Sequence, residues 1–290
     1  MFMRLISLTL VAFFSITGGP GLVNARPAVR RVVVVSIDGA RPDALSAART
    51  PTISRLWKRG AYSFRAQTIF PPKTIPSHTS MLTGLTPKRH GMLKNRWRPG
   101  QATIAVETVF TLAHAHGLKT AMVVAKPKLA FLKKEGSPRH VKIISAPAPE
   151  VASWAAWVLE SKRPHLLFIH FNDPNQQGHH YGWMTPPYFD ALSRVDQGIG
   201  ILLQALEKSE LLSETVLILT ADHGGHDRTH SRDIPEDMTI PWIAFGPGIR
   251  EGYEILDDIV TIDTAATILY ILNLPIPDGW EGRPLRSIFQ

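Results

Sequence analysis

Three short stretches of this sequence concentrate carboxylates, amides and imidazoles. The first is Ile37-Asp38-Gly39. The second is Asn172-Asp173-Pro174-Asn175-Gln176-Gln177-Gly178-His179-His180. The third is Thr220-Ala221-Asp222-His223-Gly224-Gly225-His226-Asp227-Arg228-Thr229-His230. Oxygen and imidazole donors in this density suit a first-row divalent ion, most simply zinc. Two such sets could hold two ions ~4 Å apart, the arrangement that clamps the attacking and leaving oxygens of a phosphoryl displacement. Each residue alone has a plainer role. A lone Asp after a strand, such as Asp38, caps the following helix, and a lone His lies at the surface or hydrogen-bonds in the core. Three clusters, each following a predicted strand, exceed what caps explain.

A fourth segment runs from Phe70 to Gly84 and contains Lys73-Thr74-Ile75-Pro76-Ser77-His78. Pro76 suits the first turn of a helix continuing through Ser80. Thr74 then stands at the helix entrance, where free N–H groups and the helix dipole favour an anion. Its hydroxyl is either a cap or a metal-activated nucleophile. On this segment alone the cap is the better reading.

These stretches need a scaffold that brings them to one edge. The β-branched run 31–37 predicts a buried parallel strand ending at Asp38. Runs at 120–124, 166–171 and 216–220 predict three more strands, and 242–245 a fifth. Helical patterns lie between and after them, at 107–116, 151–161, 187–210 and 261–272. Strands alternating with helices predict an α/β sandwich around a mainly parallel sheet. In such sheets ligands bind beyond the carboxyl ends of the strands, where the clusters fall.

The chain has 290 residues and no cysteine. That excludes disulfide scaffolds, zinc–thiolate sites, iron–sulfur clusters, cysteine nucleophiles and a sulfatase that makes formylglycine from cysteine. The net charge is +8, but no basic run reaches five residues and no basic–aromatic interleaving occurs. A solvated basic surface is expected rather than specific nucleic-acid binding. Residues 1–25 place Arg4 before an apolar stretch of about 12 residues, then a Gly/Pro break and Val23-Asn24-Ala25. This pattern predicts a cleaved secretory signal, since a membrane span needs ~20 apolar residues. One exported domain, 26–290, periplasmic or secreted, is expected to follow.

Taken together and in this order, the four segments resemble the alkaline phosphatase superfamily, and within it the type I phosphodiesterase/nucleotide pyrophosphatase family. The resemblance covers roughly residues 31 to 290, including the tail Pro277-Asp278-Gly279-Trp280-Glu281-Gly282-Arg283-Pro284-Leu285. It implies the three-layer alkaline phosphatase-like sandwich and a phosphoric ester hydrolase with two divalent ions, most simply Zn2+. It assigns Asp38, Asp222 and His223 to one ion and Thr74 to the nucleophile, which that ion also touches. It assigns Asn175, His179 and His230 to the second ion. His230 is preferred to His226 because of the strand-like stretch that follows, and no His occurs beyond it. Asn95 matches the amide that holds a phosphoryl oxygen, beside the Thr74 N–H. The expected partner is a small phosphorylated substrate, a phosphodiester or nucleotide.

Two positions depart from the family pattern. Asn175 stands where an Asp is expected, which removes one negative charge from the second ion's ligands. Ser231 stands where Gly is common, a mild change. Asn175 keeps open a weakly active or non-catalytic exported binding protein on the same scaffold. A phosphomonoesterase or sulfatase-type relative is a further alternative, since one fold serves several ester chemistries. Lys73, Lys94 and Arg96 either draw anions to the cleft or face solvent. Trp154 and Trp157 are expected in a core stripe, and His170 as a satisfied core histidine. His114, His116, His140 and His165 are expected away from the site, with His226 and Asp227 supporting the metal loop.

Overall fold

The computed structural model describes residues 29–290. The predicted signal segment lies outside the described residues. The chain begins with strand β1 (Arg31–Ile37), buried along its whole length. The β-branched valines Val32 to Val35 are fully enclosed, and each contributes roughly 1.5–3 kcal/mol of burial free energy. Helices α1 (Pro42–Ala47) and α2 (Pro51–Lys58), strand β2 (Ala61–Gln67) and helix α3 (Thr74–Thr83) follow. Then come α4 (Pro87–His90), α5 (Val109–Ala115), β3 (Thr120–Val124), β4 (His140–Ile143) and α6 (Ala148–Lys162). Next are β5 (Leu166–Phe171), α7 (Asp173–Tyr181), α8 (Pro186–Lys208) and β6 (Thr215–Thr220). The chain finishes with α9 (Pro235–Met238), β7 (Thr239–Phe245), β8 (Tyr253–Glu254) and α10 (Asp263–Ile271).

The strands form one eight-stranded sheet in the order β4-β3-β5-β1-β6-β7-β2-β8. β1 is central: Val34 lies beside Phe168 of β5 on one side and Ile218 of β6 on the other, both parallel. β7 runs antiparallel to both β6 and β2. Helices α1, α2, α6 and α7 pack on the long helix α8, while α4, α5 and α10 gather around α3. The sheet lies between these two helical layers. β1, β3, β5 and β6 are mutually parallel, so their C-terminal ends share one edge.

The expected α/β sandwich is present, with three differences in detail. β2, β4 and β8 were not expected from the sequence. β2 reads Ala-Tyr-Ser-Phe-Arg-Ala-Gln and lacks an apolar run, and the other two are short edge strands. The strand at Trp242 begins earlier, at Thr239, and is antiparallel. The third difference is in α6, whose buried residues include Val151, Ala152, Ala155, Val158 and Leu159. Trp154 and Trp157 fall off this stripe and are 36% and 49% exposed. They are therefore surface residues, with Lys142 Nζ 3.6 Å above the Trp154 ring.

Candidate metal centre and active site

Asp38 leaves the end of β1 fully buried, and Gly39 turns the chain with φ 73°, a conformation glycine adopts without strain. Asp38 does not cap α1. Its Oδ2 accepts hydrogen bonds from Lys126 Nζ at 2.6 Å and from His170 Nε2 at 2.8 Å. Burial alone would raise its pKa, but Lys126, His170 and His223 together hold it well below the usual carboxylate range.

Asp222 and His223 follow β6. Donor atoms of Asp38, Asp222 and His223 all lie within 4.8 Å of one another, in the only such acidic–imidazole group among the described residues. Asp222 Oδ1 accepts from the N–H groups of Gly39 and His223, at 3.2 and 3.1 Å. His223 Nδ1 donates to the Gly224 carbonyl at 2.8 Å. Asp222 Oδ2 and His223 Nε2 are left buried without a hydrogen-bond partner. Burial, and then the neighbouring Asp38 charge, raise the Asp222 pKa to about 7. Burial lowers His223 to about 4, keeping the imidazole neutral. A bare carboxylate oxygen and a bare imidazole nitrogen, enclosed beside an ionised carboxylate, fit one divalent cation.

The segment from Phe70 folds as expected. Thr74 is the first residue of α3, with Lys73 as the N-cap, and is 1% exposed. Its carbonyl accepts from His78 Nδ1 at 2.7 Å, and His78 Nε2 accepts from the Ser36 hydroxyl at 2.9 Å. This tie fixes the first turn of α3 to β1. Burial lowers the His78 pKa to about 4, so the ring is neutral. Asn95 reaches back and accepts from the Ile75 N–H at 3.0 Å and from Lys128 Nζ at 2.9 Å.

Asn175, His179 and His230 lie on the neighbouring side. His179 and His230 each direct Nδ1 at a backbone carbonyl, Arg228 at 3.0 Å and Pro72 at 2.8 Å. Their ring centroids are 5.1 Å apart, and His230 stacks on His223 at 3.7 Å. Burial, and then His223, lower the His230 pKa to about 3. The Asn175 side chain does not turn toward this histidine pair. Oriented by its partners, its amide nitrogen faces Asp38 Oδ1 at 3.2 Å and its carbonyl faces Lys126 Nζ at 3.0 Å.

All the expected site residues thus fall in one connected cluster. Several further participants were not foreseen. Lys126 and Lys128 follow β3 and supply the positive charge beside Thr74, with Lys126 Nζ 3.4 Å from Thr74 Oγ1. Burial, then the charge of Lys126, lower the Lys128 pKa to about 8. Lys73, Lys94 and Arg96 make no hydrogen bond or ion pair to the cluster among the described residues. The available signal was position: Lys126-Pro127-Lys128 begins two residues beyond the end of a predicted strand, at the same sheet edge. His170 is a correction, since it is bonded to Asp38 and its Nδ1 has no partner. Trp183 was missed too. Its Nε1 donates to the Gly39 carbonyl at 2.9 Å, with its ring against Gly178 and Gly225.

Asp237 clamps the loop at 226–232. One of its oxygens accepts from His226 Nδ1 at 2.7 Å, and the other from the N–H groups of Ser231 and Arg232, each at 2.8 Å. Asp227 contributes through its backbone, its carbonyl accepting from Trp183 N at 2.7 Å. Ser231 has φ 128°, a conformation that favours glycine, so the exchange is costlier than a mild change. Beside Lys126 opens a cavity of about 520 Å³ lined also by Asn172, Gln176, Gln177 and Arg194.

A mainly parallel sheet between two helical layers, carrying this carboxylate–imidazole cluster at its C-terminal edge, defines the alkaline phosphatase-like fold. The chain belongs to the type I phosphodiesterase/nucleotide pyrophosphatase family, whose model matches residues 32–238. It is 26% identical over 219 residues to human ectonucleotide pyrophosphatase/phosphodiesterase family member 1, covering 66% of this chain and 23% of that protein. It is 25% identical over 233 residues to human family member 5, covering 74% of this chain and 49% of that protein. The chain therefore spans no more than about half the length of these two relatives.

Among solved structures, an inactive variant of murine ectonucleotide pyrophosphatase/phosphodiesterase 5 in complex with AMP superposes with a TM-score of 0.78 at 17% identity. That match covers 90% of this chain and 100% of the other. A protein solved with its substrate D-glucosamine-2-N,6-O-disulfate superposes with a TM-score of 0.74 at 15% identity, covering 91% and 80%.

Proposed function

We propose that this chain is an exported, metal-dependent phosphoric ester hydrolase acting on phosphodiesters or nucleotide pyrophosphate bonds, with Thr74 as nucleophile. The observation that carries the reading is the placement of the Thr74 hydroxyl at the N-terminus of α3, beside Lys126 and the Asp38–Asp222–His223 cluster. Asp38, Asp222 and His223, with Thr74, would hold a divalent ion, zinc by analogy with the family. When bound, that ion supplies Lewis acidity that lowers the pKa of a coordinated hydroxyl and offsets charge on the phosphoryl group.

The chain's own groups do the rest. Thr74 Oγ1 gives its proton to solvent and attacks phosphorus; its bond to phosphorus forms and the ester P–O bond breaks. The leaving oxygen takes a proton from solvent, and water then cleaves the phosphoryl-threonine, returning a proton to Thr74 Oγ1 and releasing the other to solvent. The Thr74 N–H has no partner among the described residues and is free to bind a phosphoryl oxygen. Asn95 spends its carbonyl on Ile75 and Lys128, which leaves its amide N–H groups for the same task. His78, bonded to the Thr74 carbonyl, keeps the nucleophile in register. The cavity beside Lys126 has room for one arm of a small ester. No helix among the described residues is long and apolar enough to cross a membrane.

The test is hydrolysis of bis-p-nitrophenyl phosphate by the purified chain with zinc. Thr74→Ala is expected to lower kcat by at least about 100-fold. Full metal-dependent turnover by that variant refutes the scheme. An inert wild type would favour the binding-protein reading that Asn175 motivates.

A further inference from the structure

The donor set expected for a second ion does not fit one as well as the first set does. Asn175 brings no charge, and its carbonyl oxygen faces an ammonium rather than His179 and His230. Two imidazoles are left, and among the described residues they form no three-membered group with an acidic side chain. We propose that Lys126 Nζ is the resident second cation of this site, so that the chain carries one divalent ion and a lysine where its family uses two ions.

Three observations support this. The first is position. Lys126 Nζ is 2.6 Å from Asp38 Oδ2, 3.0 Å from the Asn175 carbonyl and 3.4 Å from Thr74 Oγ1. The ammonium has three N–H donors and faces three oxygens, one of them the nucleophile. The second is charge. A divalent ion with an aspartate carries one net positive charge, and an ammonium with an asparagine carries the same. The Asp-to-Asn departure and the lysine therefore compensate each other in net charge. The third is exclusion. An ion bound to the Asn175 carbonyl would share that oxygen with Lys126 and repel it at close range in a buried site. Asn175 also donates to Asp38 Oδ1, so Lys126, Asn175 and Asp38 close a ring of hydrogen bonds that needs no ion.

The catalytic half of this inference rests on the reading of Thr74 as nucleophile; the metal count does not. Lys126 moves no proton in this scheme. The N–H aimed at Thr74 Oγ1 turns to a phosphoryl oxygen as the Thr74 Oγ1–phosphorus bond forms and the ester P–O bond breaks.

The experiment measures zinc per chain after saturation and removal of excess ion, with thermal unfolding confirming that each protein is folded. Wild type is expected to bind one ion, and two would overturn the proposal. Lys126→Met/Asn175→Asp restores the carboxylate and removes the competing ammonium, and is expected to bind two. A folded double variant that stays at one counts against the proposal. Lys126→Met alone is expected to keep one ion and lose at least about 100-fold in kcat with a smaller change in KM. Lys126→Arg is expected to recover part of that loss, and an unchanged kcat in Lys126→Met would overturn the catalytic role. A wild type with one ion and no diester turnover would defeat the proposed function and leave the metal count standing. Two ions with turnover would do the reverse.

Discussion

Asp222 offers a change whose effect on stability reverses sign with metal. Its Oδ2 is buried without a partner, and Asp38 lies beside it, so the metal-free fold must hold a destabilised carboxyl. An unsatisfied buried polar group costs about 1–3 kcal/mol. Asp222→Asn keeps the shape and the Oδ1 bonds to Gly39 and His223 while removing the charge. In metal-free protein it is expected to stabilise by about 1–3 kcal/mol. At about 2–4 °C per kcal/mol, that raises Tm by roughly 2–12 °C.

The gain depends on pH. With the folded pKa of Asp222 raised from 3.8 to about 7, the folded state binds more protons than the unfolded one between these values, so wild-type stability falls as pH rises through the window. The advantage of Asn should be absent below about pH 4 and fully developed above about pH 7. With zinc the order reverses. Ion at ~1,000 times Kd stabilises wild type by about 4 kcal/mol, and a roughly 1,000-fold loss of affinity in the variant removes about 3.7 kcal/mol of that, more than the metal-free gain. Differential scanning fluorimetry with and without zinc, at pH 4.5 and 7.5, reads all four values. A metal-free variant less stable than metal-free wild type at pH 7.5 would refute the account of Asp222, as would an undiminished zinc shift.

Other changes test the supporting structure. Asp237→Ala breaks three hydrogen bonds onto the 226–232 loop and should cost about 2–4 kcal/mol and weaken zinc binding at least tenfold, read by denaturation and zinc titration. Ser231→Gly relieves a φ of 128° and should stabilise by about 1 kcal/mol in urea denaturation. Gly178→Ala puts a methyl 2.6 Å from the Trp183 ring; the clash should outweigh the better helix propensity and lower stability by about 1–2 kcal/mol, visible as a changed tryptophan emission. His78 is buried neutral with its pKa lowered from 6.5 to about 4, so its protonation should withdraw on the order of 3 kcal/mol as pH falls from 7 toward 4. His78→Gln should flatten that acid limb of the stability curve, and an unchanged limb would show that the loss lies elsewhere.

Much of the scaffold was readable along the chain because its signals are local. The runs at 31–37, 120–124, 166–171 and 216–220 are apolar enough to be buried on both faces, and the helices between them impose parallel crossovers. Asp38, Asp222 and His223 were legible because they closely follow such strands, and Thr74 because it opens a helix. β2 was not, because its Ser, Arg and Gln belong in a strand only once β7 and β8 pair with it. The side of α6 that carries Trp154 and Trp157 faces solvent because α8 and the sheet already occupy the other side.

The sequence by itself therefore determined the order of the central strands and the main helices, the edge where the chemistry gathers and the presence of Asn175 in place of a carboxylate. Only the tertiary structure decided what answers that missing charge. Lys126 lies 49 residues before Asn175 and 88 after Asp38, and it meets both because β3, β5 and β1 are adjacent in the sheet. Charge compensation depends on distances in space across neighbouring strands, and no pattern along one strand encodes it.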